Sequence, residues 1–224
     1  MKKRTLAIGA TGVALIAAAA IAGPIIYAKT QDDAPAPLSV AMSESTADND
    51  ASSVETSGTW EVGSGSKAGY RVDEVLNGQD VTVVGRTDEV TGDVTISADK
   101  VTAAKVTIET AGITTDSANR DNYFRSESLK VDRYPTATFT LAAPINLPAI
   151  GSNPVKVKGK GELTLAGQSE DVSVAFKIVR SNDGVAVSGA IPITFKDFGV
   201  PAPNLGFVKV EDSGTVEFLL NLEK

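Results

Sequence analysis

The sequence predicts an all-β domain with antiparallel strands, and two observations carry this prediction. Between residues 58 and 224, apolar and polar residues alternate over many short runs, as they do in half-buried strands. The same region has one stretch, Ser117–Leu129, with room for a helix. Parallel strands need long crossover connections, so strands without them must pair antiparallel. About eight such strands either close into a barrel or pack as a sandwich, and periodicity alone leaves both open.

The strand candidates are short and are separated by turn signals such as Asn182-Asp183-Gly184 and Ala166-Gly167-Gln168. Alternation is clearest between residues 172 and 178, where it directs Phe176 to one face and Lys177 to the other. The single helix follows Asp116, which we expect to be its N-cap. In chain order the strand candidates are Tyr70–Val72, Val81–Arg86, Gly92–Ile96, Lys105–Glu109, Ala137–Leu141, Val155–Leu165, Val172–Ile178, Val185–Phe195 and Val216–Leu222.

The N-terminal 28 residues predict a membrane anchor. Three basic residues at positions 2–4 precede residues 5–27, which carry no charge. As a helix this run reaches roughly 35 Å, enough to cross a hydrocarbon core of about 30 Å. The positive-inside bias then places the rest of the chain outside the cytoplasm, as a single-pass protein of the cell membrane. The alternative is a signal peptide cleaved after Ala20-Ile21-Ala22, which would give a secreted protein.

Residues 29–57 predict a flexible linker between this anchor and the domain at 58–224. The segment contains Pro35 and Pro37, many Ser, Thr and Ala, and six acidic residues. Such a composition buries too little apolar surface to offset the entropy lost on ordering.

Composition excludes several classes of function. The formal net charge is -7, and no basic patch with interleaved aromatic residues appears, so nucleic acid is not an expected partner. The chain has no Cys and no His, which removes thiolate nucleophiles, imidazole acid–base chemistry and the commonest transition-metal ligands. The sequence also shows no convergent carboxylate or Ser/Lys pair. We therefore expect no catalysis, no metal site and no cofactor.

A series of short phrases across residues 58–224 resembles the YceI-like family, in the membrane-anchored form common among actinobacteria. Each phrase alone is weak, but their order follows the family over nearly the whole domain. The phrases are Thr59-Trp60, Ala68–Val72, Val84–Thr87, Val90–Gly92, Asn119–Asn122, Tyr134–Phe139, Gly161–Leu165, Lys196–Val200 and Glu211–Phe218.

The resemblance implies an extended, antiparallel, eight-stranded lipocalin-like barrel whose lumen holds a polyisoprenoid or a similar long-chain lipid. The sequence departs from the family at two places that often carry His, which here read Asn122 and Ala166-Gly167-Gln168. A His-dependent role is thereby excluded, and headgroup contacts made through those positions in relatives are in doubt.

Within such a barrel, strand alternation and the positions of aromatic residues predict which side chains line the lumen. Arg120 and Arg125, on the helical segment, are the candidates for a lipid headgroup because guanidinium groups donate charge-assisted hydrogen bonds. The alternative for Arg120 is an ion pair with a local acid such as Asp121. The lumen candidates are Tyr70, Val106, Ile108, Phe124, Phe139, Leu141, Val174, Phe176, Ile193, Phe195, Phe198 and Phe218.

The irregular stretch from Lys196 to Phe207 either caps the lumen or packs against the outside of the barrel. The resulting functional hypothesis is a carrier or reservoir for a long-chain lipid outside the cytoplasmic membrane, contacting that membrane through residues 5–27. The alternative is a structural or interaction module of the cell envelope, with a lumen filled by side chains. Whether the chain forms a homodimer is left open.

Overall fold

The computed structural model describes residues 34–40, 56–181 and 184–224. The predicted anchor at residues 1–28 lies outside the described residues. Within the ranges just given, no helix is both long enough and apolar enough to cross a bilayer.

Strands make up most of the described chain. They are β1 (Gly58–Val62), β2 (Lys67–Leu76), β3 (Gln79–Thr87), β4 (Val90–Ser97), β5 (Lys100–Glu109), β6 (Thr136–Leu141), β7 (Ile145–Asn146), β8 (Val155–Leu165), β9 (Gln168–Ser181), β10 (Gly184–Thr194) and β11 (Val208–Glu223). Between β5 and β6 lie a 3₁₀ turn (Thr110–Gly112), helix α1 (Ala118–Tyr123) and a π-helical turn (Phe124–Ser128). A second 3₁₀ turn (Phe195–Phe198) follows β10.

The sheet closes into an eight-stranded antiparallel barrel. Strand β11 pairs with β2 and, further along the same edge, with β1, so β1 and β2 act as one bent strand. Strands β3 and β4 continue each other in the same way, because β3 pairs with β2 and β4 with β1. The pairing of Val62 with Leu222 closes the ring. The antiparallel barrel is confirmed, and the sandwich is excluded.

The two ends of the barrel differ in what covers them. At one end Leu76 pairs with Val208, and the segments between β5 and β6 and between β10 and β11 fold nearby. We call this the helical end. At the other, the terminal end, Trp60 on β1 packs with Leu222 in the main hydrophobic core.

Side chains face in and out as the alternation predicts. Phe176 and Ile178 point into the barrel, whereas Lys177 between them is exposed on the outside. In a strand, successive side chains point to opposite faces, so one confirmed position fixes the whole strand.

The helix begins differently from the prediction. Its N-cap is Ser117, whose hydroxyl accepts a hydrogen bond from the backbone N–H of Arg120 at 3.5 Å. Asp116 was the predicted cap, but its carboxylate accepts instead from the Arg120 guanidinium. The predicted cap was therefore wrong by one residue, because a side-chain ion pair competes for the carboxylate.

Part of the predicted flexible linker lies on the barrel. Residues 34–40, which we call the strap, cross the outer face formed by β2, β3, β11 and β10. The backbone N–H of Leu38 donates to Glu217 at 3.4 Å, and that of Val40 donates to the Ser188 hydroxyl at 3.0 Å. Glu217 points outward, yet it is only 2% exposed. The strap is thus held by fixed contacts, unlike the freely moving tether that composition predicted there.

Arginine side chains complete the strap's contacts with the barrel. Arg86 and Arg71 donate to the carbonyls of Ala36 and Pro35, and both arginines also form ion pairs with Glu217. The charged side chains of Arg71, Arg86 and Glu217 thus bind backbone groups of the strap. Hydrogen bonds to charged groups are stronger than those between neutral groups. The outer boundaries of the linker, at residues 29 and 57, stay a prediction.

Candidate functional site: the barrel lumen

The terminal half of the lumen holds a cavity of about 90 Å³ that we call the apolar chamber. Inward side chains from β4 to β11 line it, and every lining residue is aliphatic or Phe. A cavity with such a wall suits hydrocarbon and offers no hydrogen-bond partner to a polar ligand.

Two glycines in the strands leave space for aromatic rings of this chamber. A Cβ at Gly161 would lie 2.3 Å from the Phe139 ring, and one at Gly189 would lie 2.4 Å from the Phe218 ring. The rings therefore lie directly over backbone that carries no side chain, as glycine in a strand often permits. This arrangement keeps the bulk of two phenyl groups against the wall.

The helical half of the lumen holds a second cavity, of about 140 Å³, that we call the helical chamber. Ile108 and Val216 line both chambers. On β8, Leu163 lines the apolar chamber and Leu165, the next inward residue, lines the helical chamber. The two spaces are therefore stacked along the barrel axis and adjoin each other.

The wall of the helical chamber carries a buried ion pair. Glu74, an inward residue of β2, is 6% exposed and accepts a hydrogen bond from the Arg120 guanidinium at 3.2 Å. Arg120 also pairs with Asp116, whose carboxylate is largely exposed. Arg120 is thus shared between two acids on opposite sides, and it brings helix α1 against the barrel.

Tyr70 stands beside this ion pair. Its ring stacks on Phe124 of the π-helical turn, with ring centroids 4.9 Å apart and planes 16° from parallel. Burial raises the pKa of the Tyr70 phenol well above its ordinary value, against the opposing effect of the Arg120 charge. The phenol therefore stays neutral at physiological pH and keeps its proton as a hydrogen-bond donor.

Comparison with known proteins agrees with this architecture. The model of the YceI-like domain family matches residues 46–222 of the chain. The chain belongs to the YceI-like family. This match spans the whole barrel from β1 almost to the end of β11.

Curated relatives include UPF0312 proteins of the bacterial genera Pseudomonas and Shewanella. That of Pseudomonas aeruginosa strain LESB58 is 34% identical over 139 residues, which cover 57% of this chain and 63% of the relative. That of Shewanella baltica strain OS185 is 31% identical over 133 residues, covering 53% and 64%. The matched region thus spans somewhat less than two thirds of each relative.

Two solved structures share the fold. One is BcnA of Burkholderia cenocepacia, at 21% identity and a TM-score of 0.56 over 70% of this chain and 96% of that one. The other is described as a polyisoprenoid binding domain from Saccharophagus degradans, at 18% identity and a TM-score of 0.58 over 74% and 97%. At such identities the likeness establishes the fold.

Most of the lumen candidates nominated from sequence line the chambers of this YceI-like barrel. Val174 and Phe198 do not line either space, since both are buried in a core cluster beside the lumen, packed with Leu163 and Ile191. The candidates found in the apolar chamber are Val106, Ile108, Phe139, Leu141, Phe176 and Phe218, and those in the helical chamber are Tyr70, Ile108, Phe124, Ile193 and Phe195.

The two headgroup candidates separate. Arg120 lines the helical chamber, where its partners are Glu74 and Asp116. Asp121, the acid considered for it, is instead buried and accepts from the backbone and hydroxyl of Thr115. Arg125 is not among the lining residues, and it donates to the carbonyls of Ala111 and Ile113. Arg125 therefore serves to hold the loop before α1.

Glu74 is the functional-site residue that sequence reasoning missed. Its signal was present, because the inward positions of β2 run Tyr70, Val72 and Glu74 in steps of two. A charged residue at an inward position of a strand means either that the strand's facing is wrongly assigned or that the charge belongs to a buried site.

The irregular stretch after β10 divides between the two expected roles. Val200, Pro201 and Pro203 line the helical chamber and so cover this part of the lumen. Leu205 and Phe207 are exposed instead of packing on the barrel.

Among residues 34–40, 56–181 and 184–224, the acidic side chains form no group of three or more that could hold a metal ion.

Proposed function

We propose that this YceI-like chain binds one long-chain apolar lipid of the polyisoprenoid class in its lumen and serves as a carrier or reservoir outside the cytoplasmic membrane. The single observation that carries this proposal is the apolar chamber, a cavity inside the barrel that is lined only by aliphatic and Phe side chains. It adjoins a chamber that holds a few polar groups near its wall. The tail of an amphiphilic lipid would thus lie in the apolar chamber and its headgroup in the helical chamber, along the barrel axis.

Burial of hydrocarbon supplies enough free energy for this role. Each buried CH₂ contributes roughly 0.8 kcal/mol, so a five-carbon isoprene unit contributes a few kcal/mol. Association costs an estimated 4–15 kcal/mol in lost freedom, which a few such units offset. Affinity therefore needs no ion pair, and the polar groups are left to select the headgroup.

The charges of the helical chamber favour a neutral headgroup. Arg120 has two acidic partners, Glu74 and Asp116, so the three charges sum to one negative unit. An added phosphate would meet no net positive charge there. A headgroup with a carbonyl or hydroxyl oxygen can instead accept from the neutral Tyr70 phenol, whose pKa is raised by burial.

The relatives support the ligand class. The Saccharophagus degradans structure that shares this fold is described as a polyisoprenoid binding domain. The predicted anchor at residues 5–27 supports the location, since an attached barrel would stay beside the membrane that supplies its lipid.

The alternative function is an envelope interaction module with a lumen filled by side chains and no ligand. Two adjoining cavities, of about 90 and 140 Å³, argue against a completely filled lumen. A filled eight-stranded barrel would leave room for little beyond its own side chains.

Native mass spectrometry of the full chain, purified in mild detergent from a host that makes prenyl lipids, tests the proposal. We expect a one-to-one adduct whose solvent extract contains a neutral isoprenoid. The matched control is Phe176→Asp, which places a carboxylate in the apolar chamber and should carry no adduct. A wild-type chain that stays free of lipid after incubation with prenyl alcohols and prenyl quinones would refute the carrier and favour the interaction module.

A further inference from the structure

The loop between the second 3₁₀ turn and β11 ends in an exposed apolar tip. Leu205 and Phe207 are 55% and 59% exposed, and they are the exposed large apolar side chains of the described residues. The eight residues from Val200 to Phe207 contain no charge. We call residues 204–207 the tip. Two exposed large apolar side chains, one residue apart in a stretch without charge, favour contact with an apolar partner.

The tip is a small hairpin whose backbone is largely paired. Asn204 bridges to Lys209, the N–H of Leu205 donates to the carbonyl of Val208 at 2.9 Å, and Gly206 supplies a left-handed turn with φ of +83°. The carbonyl of Phe207 accepts from the N–H of Asn77 at 2.7 Å, which ties the tip to the β2–β3 turn. Paired backbone groups lower the cost of entering a medium that offers no hydrogen bonds.

The tip continues the wall of the lumen. Pro203, the residue before it, and Val210, shortly after it, both line the helical chamber. The tip therefore stands at the helical end, beside the chamber whose polar groups face a lipid headgroup. No part of the terminal end among the described residues exposes a comparable apolar pair.

The strap brings this end within reach of a membrane. Six residues, 28–33, separate the predicted span at 5–27 from the strap, and at 3.3–3.6 Å each they extend at most about 20 Å. The strap contacts Arg71 on β2, five residues from the end of that strand at Leu76, which is about 17 Å along the barrel. If the strap were released, residues 28–57 would extend to about 100 Å.

We propose that the tip, through Leu205 and Phe207, inserts into the interface of a lipid bilayer and places the helical end of the lumen against the membrane. With the strap in place, the chain before it reaches the helical end, and the exposed apolar pair lies at that same end. The absence of charge at the tip suits a neutral lipid surface, because the net charge of -7 opposes attraction to anionic headgroups. This inference rests on the proposed carrier function and on its predicted anchor.

Fluorescence quenching in vesicles tests the contact with the full chain. The chain contains no Cys, so Phe207→Cys and Ser152→Cys each give a single labelling site. Ser152 is exposed and follows Gly151, whose carbonyl accepts from Arg180 near the terminal end, and it serves as the matched control. Each variant is labelled with an environment-sensitive fluorophore and reconstituted into phosphatidylcholine vesicles that carry a nitroxide on the lipid at a shallow depth.

We expect at least fivefold stronger quenching at position 207 than at 152, and its loss when Leu205→Ser is added. Equal quenching at both sites, or none at 207 in a chain that floats with the vesicles, would overturn the contact. Lipid content measured on the same sample separates the two proposals. A chain that carries prenyl lipid but shows an unquenched tip keeps the carrier function and loses this contact, whereas a chain that fails to float loses both the anchor and the contact.

Discussion

The apolar chamber and the helical chamber adjoin each other in one lumen, with volumes of about 90 and 140 Å³, yet their walls have different origins. Regular strands and the loop after β7 build the apolar chamber, and all its lining residues are apolar. The helical chamber takes part of its wall from the irregular segments after β5 and β10, and it adds Glu74 and Arg120. The comparison teaches that strand alternation alone produces the tail site, whereas the polar site also needs a segment inserted between strands, which brings Arg120 to Glu74 on β2.

The largest expected effect follows from a charge in the apolar chamber. Phe176→Asp removes a ring that contacts Phe139 and Phe218 and buries a carboxylate with no partner. We expect a loss of roughly 3–5 kcal/mol of unfolding free energy, measured by urea denaturation, together with loss of lipid uptake. Lys177→Asp, one residue away on the outer face, should change both by little. Equal damage at the two positions would contradict the assigned facing.

A smaller effect is expected from filling the apolar chamber without adding charge. Gly189→Val would force the Phe218 ring away from the wall and into the space. Overpacking costs typically 1–3 kcal/mol, and we expect at least a tenfold loss of affinity for a prenyl lipid in a fluorescence competition assay.

Gly151→Val is the control for this substitution, because a Cβ at Gly151 meets no atom within 4 Å. Unchanged affinity in Gly189→Val would show that the ligand does not occupy the apolar chamber.

The helical chamber is expected to control selectivity more than stability. Glu74→Gln removes one of the two negative charges that hold Arg120. We expect the preference for a prenyl phosphate over the matching prenyl alcohol to rise by about tenfold, because about 1.4 kcal/mol of altered charge interaction corresponds to that factor.

Asp116→Asn is the matched control for Glu74→Gln, since the Asp116 carboxylate is 58% exposed and solvent screens its pair with Arg120. An equal shift in both variants would mean that the headgroup does not reach the interior side of Arg120.

The smallest effect is a dependence of stability on alkaline pH. Burial raises the pKa of Tyr70, so its neutral phenol contributes stability that is complete below the ordinary Tyr pKa of about 10 and is lost as the pH rises above it. As the pH is raised from about 9 to about 11, we expect the unfolding free energy of Tyr70→Phe to fall less than that of the wild type. Urea denaturation at each pH measures this difference. Tyr134→Phe, outside both chambers, should follow the wild-type curve. Parallel curves for all three proteins would contradict the burial of the Tyr70 phenol.

Sequence reasoning was most successful where a rule is local. The period of two placed Phe176 inside and Lys177 outside, and most of the residues that were nominated for the lumen line a chamber. It was wrong at the helix cap, where the choice between Asp116 and Ser117 depended on Arg120 competing for the carboxylate. It missed Glu74 although this residue is in phase with the inward positions of β2, because its partner Arg120 lies 46 residues away in the chain.

Val174 and Phe198 show a second limit. Both were nominated for the lumen because both are apolar, and Val174 lies on the correct face of β9. Both are buried, but in the cluster with Leu163 and Ile191 instead of at a free surface. Alternation predicts burial, and it does not distinguish a wall residue from one covered by other side chains.

The sequence by itself determined the all-β class, the antiparallel pairing and the inward face of each strand, because these depend on composition and spacing within a few residues. Only the tertiary structure decided that the barrel closes, since closure requires Val62 near the start of the domain to meet Leu222 near its end. It also decided that residues 34–40 lie on the barrel, because the outward Glu217 can bind them only after Arg71 and Arg86 are brought beside it by pairing of distant strands.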